Sequence, residues 1–162
     1  MDSIAPRDSG ACTLGIADVE RVIAIDRAHT GRSRRRFFEK RFAAAAARPQ
    51  DFIPIGIHRG GALRGYAIVR ILRGEFGREQ AVAVLDAVGV EPHSRERGIG
   101  RALIDALIAE LDRVGVRSLQ SQAAWNNDDL MRFFAASGFV LAPRLVLECS
   151  VAEPLLEASE EV

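Results

Sequence analysis

The chain has 162 residues, 48% hydrophobic and 27% charged, and its 22 Lys and Arg balance 22 Asp and Glu. That composition excludes a disordered or fibrous chain, and zero net charge gives no case for a general nucleic-acid or membrane-surface binder. The length suits a single domain, expected over 1–152, followed by an acidic tail over 153–162 that lacks any core pattern.

The first residues, MDSIAPRDSG, contain no apolar stretch of signal-peptide type. No apolar run approaches membrane-spanning length, so the default expectation is a cytoplasmic protein with no membrane partner. Cys12 and Cys149 lie far apart and belong to no metal-spaced cluster. They read as reduced packing residues, and no metal is expected.

ACTLGI (11–16) reads as a first strand, and Asp18 is placed to cap a helix carrying Val19, Val22, Ile23 and Ile25 at helical spacing. Gly31 breaks that helix. SRRRFFEKRFAAAAAR, with Ser33 as its cap, predicts a second helix running to Pro49. FIPIGIHR and ALRGYAIVRIL flank Gly60-Gly61 as a hairpin, and AVAVLDAVGVEP adds a third antiparallel strand. GRALIDALIAELDRVG is an amphipathic helix ended by Gly115; VRSLQSQAA is a strand, NNDDLMRFFAASG a capped helix, and RLVLECSV a final strand. The order β α α β β β α β α β indicates a mixed α/β domain with a largely antiparallel start.

Where the third hairpin strand gives way to a helix, the chain reads EPHSRERGIGRAL. A helix N-terminus offers unpaired N–H groups and the positive end of its dipole, Gly98 and Gly100 keep side chains away, and Arg95, Arg97 and Arg101 add positive charge. That combination suits a pyrophosphate. A Walker loop is excluded because the only lysine is Lys40, in another helix. A dinucleotide fingerprint fits poorly, because G-x-G here follows three antiparallel strands rather than opening a parallel unit.

The segment Arg95-Glu96-Arg97-Gly98-Ile99-Gly100, after a strand ending in a V-x-P-like step, resembles the central motif of the GCN5-related N-acetyltransferase (GNAT) superfamily. Asn127, Phe134 and Gly138-Phe139 resemble its second motif at the family spacing. The resemblance implies a mostly antiparallel sheet of six to seven strands, splayed between the fourth and fifth and flanked by about four helices. It also implies acetyl-CoA as cosubstrate: Val88, Gly89 and Val90 would pair with the pantetheine arm, and the amides from Arg95 through Glu96, Arg97, Gly98, Ile99 and Gly100 to Arg101 would hold the pyrophosphate. Asn127 and Phe134 would lie beside the arm.

The implied reaction moves an acetyl group to a primary amine by direct attack in a ternary complex. It needs a neutral amine, a donor for the developing oxyanion and a proton for the leaving thiolate. Many relatives place a tyrosine where Phe134 stands, and some a glutamate where Gln122 stands. Asp86 is the remaining candidate base, since it shares strand parity with Val88 and Val90; the alternative is an ion-paired strand carboxylate. Arg34 and Arg35, in the arginine-rich second helix with Arg32, Arg36, Lys40 and Arg41, are the candidate acceptor contacts, on a face that is otherwise solvated. A CoA-binding regulatory module without turnover is the alternative function; nucleic-acid contact by the arginine helix is a third reading, which zero net charge and the lack of any other nucleic-acid motif count against. A homodimer through the final strand is possible by analogy with similar folds.

Overall fold

The computed structural model describes residues 10–149 and 151. Five strands form one sheet in the order β1-β2-β3-β4-β5. They are β1 (Gly10–Thr13), β2 (Phe52–Arg59), β3 (Ala62–Leu72), β4 (Val82–Val90) and β5 (Leu119–Gln120). Neighbours run antiparallel except β4 and β5, which are parallel. Four α-helices complete the fold: α1 (Val19–Thr30), α2 (Arg35–Ala47), α3 (Ile99–Arg113) and α4 (Asp128–Ala136).

The alternation of the strands separates two cores, because successive side chains leave opposite faces of a sheet. On one face Ile53, Ile55, Val69, Ile71 and Leu85 pack against Leu103, Leu107 and Leu111 of α3 and Phe134 of α4. On the other, Tyr66, Ile68 and Ala87 pack against Val22 and Ile25 of α1 and Phe38 and Phe42 of α2. The apolar stripes expected for the first three helices are the buried ones.

The C-terminal third departs from expectation. The strand expected over 116–124 contracts to Leu119–Gln120, and among the described residues RLVLECSV forms no strand, so the sheet has five strands rather than six to seven. Leu145 and Leu147 are 88% and 87% exposed. β-propensity alone does not make a strand; a partner edge is needed, and a two-residue β5 offers almost none. α2 starts at Arg35, and Ser33 does not cap it. Among the described residues no helix is long and apolar enough to cross a membrane.

Candidate active site

The cleft begins where β4 and β5 part. Their pairing consists of Ala83 with Leu119 and Val84 with Gln120. The Ser121 hydroxyl then donates to the Leu85 carbonyl at 3.1 Å, tying the strands at the apex of the gap. From there to Val90, β4 has β3 on one side and, among the described residues, no partner strand on the other. The Glu91 N–H donates to the Arg64 carbonyl at 2.8 Å, which turns Gly89 and Glu91 toward β3. Backbone direction alternates along a strand, so the N–H and C=O groups of Val88 and Val90 face the gap.

β4 also carries a bulge. Ala87 pairs with Ile68 and Leu85 with Val69, which leaves Asp86 as the extra residue. The bulge reverses side-chain parity: Leu85, Val88 and Val90 pack toward α3 and α4, whereas Ala87 packs toward α1 and α2. Asp86 therefore does not share a face with Val88 and Val90, as simple alternation predicts. It joins the α1/α2 face, where its Oδ2 accepts a hydrogen bond from Arg70 Nε at 2.5 Å. Arg41 Nε, from α2, lies 2.9 Å from the same oxygen. That second contact is a charge pairing rather than a hydrogen bond, because the buried Nε–H is not aligned with an acceptor.

At the other end of β4, a 3-10 turn over Pro92–Arg97 leads into α3. Gly98 has φ 72°, a left-handed conformation that glycine adopts without steric cost. Gly100 answers to packing: a Cβ there would stand 2.7 Å from Phe133 Cε2 of α4. Gly89 likewise makes room for the Tyr66 ring, 2.5 Å from where its Cβ would lie. Each glycine thus has a reason in the fold besides the approach of a ligand. The first-turn N–H groups of Ile99, Gly100 and Arg101 have no intrahelical acceptor and point out of the helix start. The Ile99 side chain is buried in the core. Arg101 pairs with Asp105 one turn on, at 3.0 Å, on the exposed face of α3. The side chains of Arg95, Glu96 and Arg97 lie outside the described ones.

This turn is anchored by Glu91, which sequence reading missed. Its carboxylate accepts from Arg21 of α1 and Arg64 of β3, each at 2.5 Å. The hydrogen bonds from Arg21 and then Arg64 hold its pKa below the usual glutamate range. The arginines that hold Glu91 are 70 and 27 residues away, so no local pattern marks the pairing.

On the far side of the gap, Asn127 caps α4, its Oδ1 accepting from the Leu130 N–H at 3.1 Å. Phe134 is largely buried, its ring 4.8 Å from that of Phe139. The cleft between these elements has a volume of about 580 Å³, and Asp86, Val88, Gly89, Val90, Gly100, Gln122, Asn127 and Phe134 all line it.

Its α1 side is a charged network. Asp26 is 1% exposed and receives Arg34 through two hydrogen bonds, Nε to Oδ2 at 2.9 Å and Nη2 to Oδ1 at 2.5 Å. The Tyr66 hydroxyl donates to the same carboxylate at 2.8 Å. Burial, and then the Asp26 charge, push the Tyr66 pKa far up, so this hydroxyl is a fixed donor and not a proton source for the cleft. Arg34 also stacks over Phe37 and Phe38, at 5.2 and 5.4 Å from their centroids. It lines the cleft with its charge already engaged. Arg35 does not line it: the guanidinium pairs with Glu20 at 2.5 Å on the exposed surface, because α2 turns successive residues to different sides. The expectation that Arg35 contacts an acceptor gives way to that placement.

Comparison with known proteins supplies an independent line. Residues 19–139 match the profile described as the acetyltransferase (GNAT) family. The [ribosomal protein bS18]-alanine N-acetyltransferase of Escherichia coli K12 is 27% identical over 101 residues; the match spans 62% of this chain and 62% of that protein. The crystal structure of a ribosomal-protein-alanine N-acetyltransferase from Brucella melitensis biovar Abortus 2308 superposes with a TM-score of 0.70 at 17% identity, covering 89% of this chain and 99% of that one. AAC(6')-Iy in complex with a bisubstrate analogue, CoA-S-monomethyl-acetylneamine, gives 0.70 at 18% identity over the same shares. At such identities the solved structures speak for the fold.

Proposed function

The chain belongs to the GNAT acetyltransferase family, and from that premise we propose that it transfers an acetyl group from acetyl-CoA to a primary amine by direct attack in a ternary complex. The observation that carries the proposal is the unpaired outer edge of β4 facing a cleft that ends at the α3 N-terminus. The residues present suit acetyl-CoA: two outward-facing peptide groups can take an extended amide-bearing arm as an added strand, and the first-turn amides of α3 can take its pyrophosphate.

When bound, acetyl-CoA supplies an acetyl group activated as a thioester. Val88 and Val90 would orient the arm through their backbone groups, with Gly89 between them and Asn127 and Phe134 as the opposite wall. Ile99, Gly100 and Arg101 would hold the pyrophosphate through N–H groups, joined by the loop from Arg95 through Glu96 and Arg97 to Gly98. The outward N–H of Val88, nearest the apex of the gap, would donate toward the oxyanion that develops during attack, leaving its carbonyl and the Val90 groups to hold the arm. Asp86 stands on the α1/α2 side, from which an acceptor amine would approach. Arg70 Nε and Arg41 Nε both contact its Oδ2, which would leave Oδ1 to receive a proton from the amine, directly or through water. With Phe134 in place of a hydroxyl and Tyr66 committed to Asp26, the proton for the departing sulfur traces back to the amine.

Calorimetric titration with acetyl-CoA tests the first half. The wild-type protein is expected to bind and Gly98→Trp to lose binding, since tryptophan there both obstructs the helix start and strains a φ of 72°. A folded wild-type protein that does not bind would overturn the proposal. Release of free thiol only when an amine is present tests the second half. Binding without such release would favour a CoA-binding regulatory module, the reading that Phe134 also supports.

A further inference from the structure

The charge balance of the cleft bears on which amines it accepts. Three carboxylates line it, from Asp26, Asp86 and Asp129. Each is already held by arginine: Asp26 by Arg34, Asp86 by Arg70 and Arg41, and Asp129 by Arg132 at 2.7 Å. Asp86 has two guanidinium neighbours for one negative charge. Arg32, exposed on the stretch between α1 and α2, lines the same cleft, and among the described residues no hydrogen bond or ion pair engages its guanidinium. His29 and Thr30 stand beside it on α1. Counted with the arginines that hold its carboxylates, the α1 side of the cleft therefore carries a surplus of positive charge, and each lining carboxylate already has a guanidinium partner.

We infer, resting on the acetyl-transfer reading above, that the acceptor is a primary amine with a carboxylate close to it, and that Arg32 is the residue that takes this carboxylate. A guanidinium fork matches a carboxylate with two parallel hydrogen bonds, a recognition that a neutral or cationic acceptor cannot use. A polycationic amine would meet like charge at Arg32 and find its usual anionic contacts occupied, which selects against it. The carboxylate has two possible sources: a free amino acid carries its own, and a peptide amino terminus has an acidic side chain at its second or third position.

The test measures initial rates of thiol release with acetyl-CoA against four acceptors: alanine, an amidated peptide beginning Ala-Asp-Glu, the matched peptide beginning Ala-Lys-Arg, and sisomicin. The inference expects alanine or the acidic peptide to have the highest kcat/KM, and the preferred one of these identifies the source. Arg32→Gln is expected to raise KM for that acceptor about tenfold, the loss of one solvent-accessible charge-assisted contact, with kcat little changed. Arg32→Glu should move preference toward the Ala-Lys-Arg peptide. Among the described residues nothing pairs with the Arg32 guanidinium, so both variants should fold, and calorimetry with acetyl-CoA should give wild-type affinity for each. Preferred turnover of sisomicin or the basic peptide by the wild-type protein, or an unchanged KM in Arg32→Gln, would overturn the inference while leaving acetyl transfer intact. Acetyl-CoA binding without turnover of any acceptor, or no binding at all, would overturn the acetyl-transfer reading and this inference with it.

Discussion

On the α3 side of the cleft, the groups offered to a ligand belong to the backbone: the outward peptides of Val88 and Val90 and the first-turn amides of α3. The side chains of Val88, Val90 and Ile99 pack toward the core, Gly98 and Gly100 have none, and that of Arg101 turns to Asp105 on the exposed face of α3. On the α1 side the offer is reversed. Asp26, Arg32, Arg34 and Asp86 present charged side chains drawn from α1, the stretch before α2 and the β4 bulge; Asp26 and Arg34 hold each other, and Asp86 is held by Arg70 and Arg41. A backbone site tolerates the loss of side chains and suffers from their addition. A site made of paired charges suffers when one partner is removed, because the other is left buried and uncompensated.

The comparison is put under most strain by removing Asp26. Asp26→Ala strands Arg34 and the buried Tyr66 hydroxyl together, and should cost about 3–5 kcal/mol in urea unfolding. A loss below about 1 kcal/mol would mean that water replaces the carboxylate and that the α1 side is not held by this network.

Adding bulk on the α3 side should have the next largest effect. Gly100→Leu drives a side chain into the Phe133 ring, 2.7 Å from where its Cβ would start, and should cost about 1–3 kcal/mol, less about 1 kcal/mol regained in helix propensity. Acetyl-CoA affinity should fall with it. Pairing it with Phe133→Ala should return part of the stability; simple additivity in that cycle would show that the two residues do not meet.

Glu91 joins the two sides, since its carboxylate ties Arg21 of α1 to the turn before α3. Its folded pKa lies below the ordinary glutamate value of about 4.3, so its contribution is fully present above that value. The contribution is lost as pH falls through the lowered folded value. Unfolding free energies of wild type and Glu91→Gln should therefore differ by a constant amount from pH 8 to about 5 and converge on further acidification. A difference that persists unchanged to pH 3 would assign the effect to shape rather than charge.

The smallest effect belongs to Arg35, whose pairs with Glu20 and Glu39 are surface contacts of the kind that salt and solvent screen. Arg35→Gln should leave both melting temperature and acceptor KM at wild-type values. A raised KM would extend the acceptor site beyond the cleft and blur the contrast between its two sides.

What could be read in the residues alone is uneven in the same way. The helical stripes, the Gly60-Gly61 hairpin and the glycine motif before α3 are patterns within a few neighbouring positions, and such patterns are governed by local backbone geometry. They led to the fold class and the family, and they marked the helix start at which the cleft ends. The alternating apolar residues of RLVLECSV followed the same local rule, yet the described ones form no strand, because pairing requires an edge that local pattern does not reveal.

Tertiary structure alone decided the rest. The bulge that turns Asp86 to the α1/α2 face arises from register between β3 and β4, and strand periodicity by itself predicts the opposite face. The partners of Asp86, Asp26 and Glu91 come from other elements, as far as 70 residues away. Charge pairing depends on distance in space, which sequence separation does not encode, so the sequence determined where the strand and the glycine-marked helix start beside the cleft would form, and only the folded arrangement determined which charges along the cleft are paired.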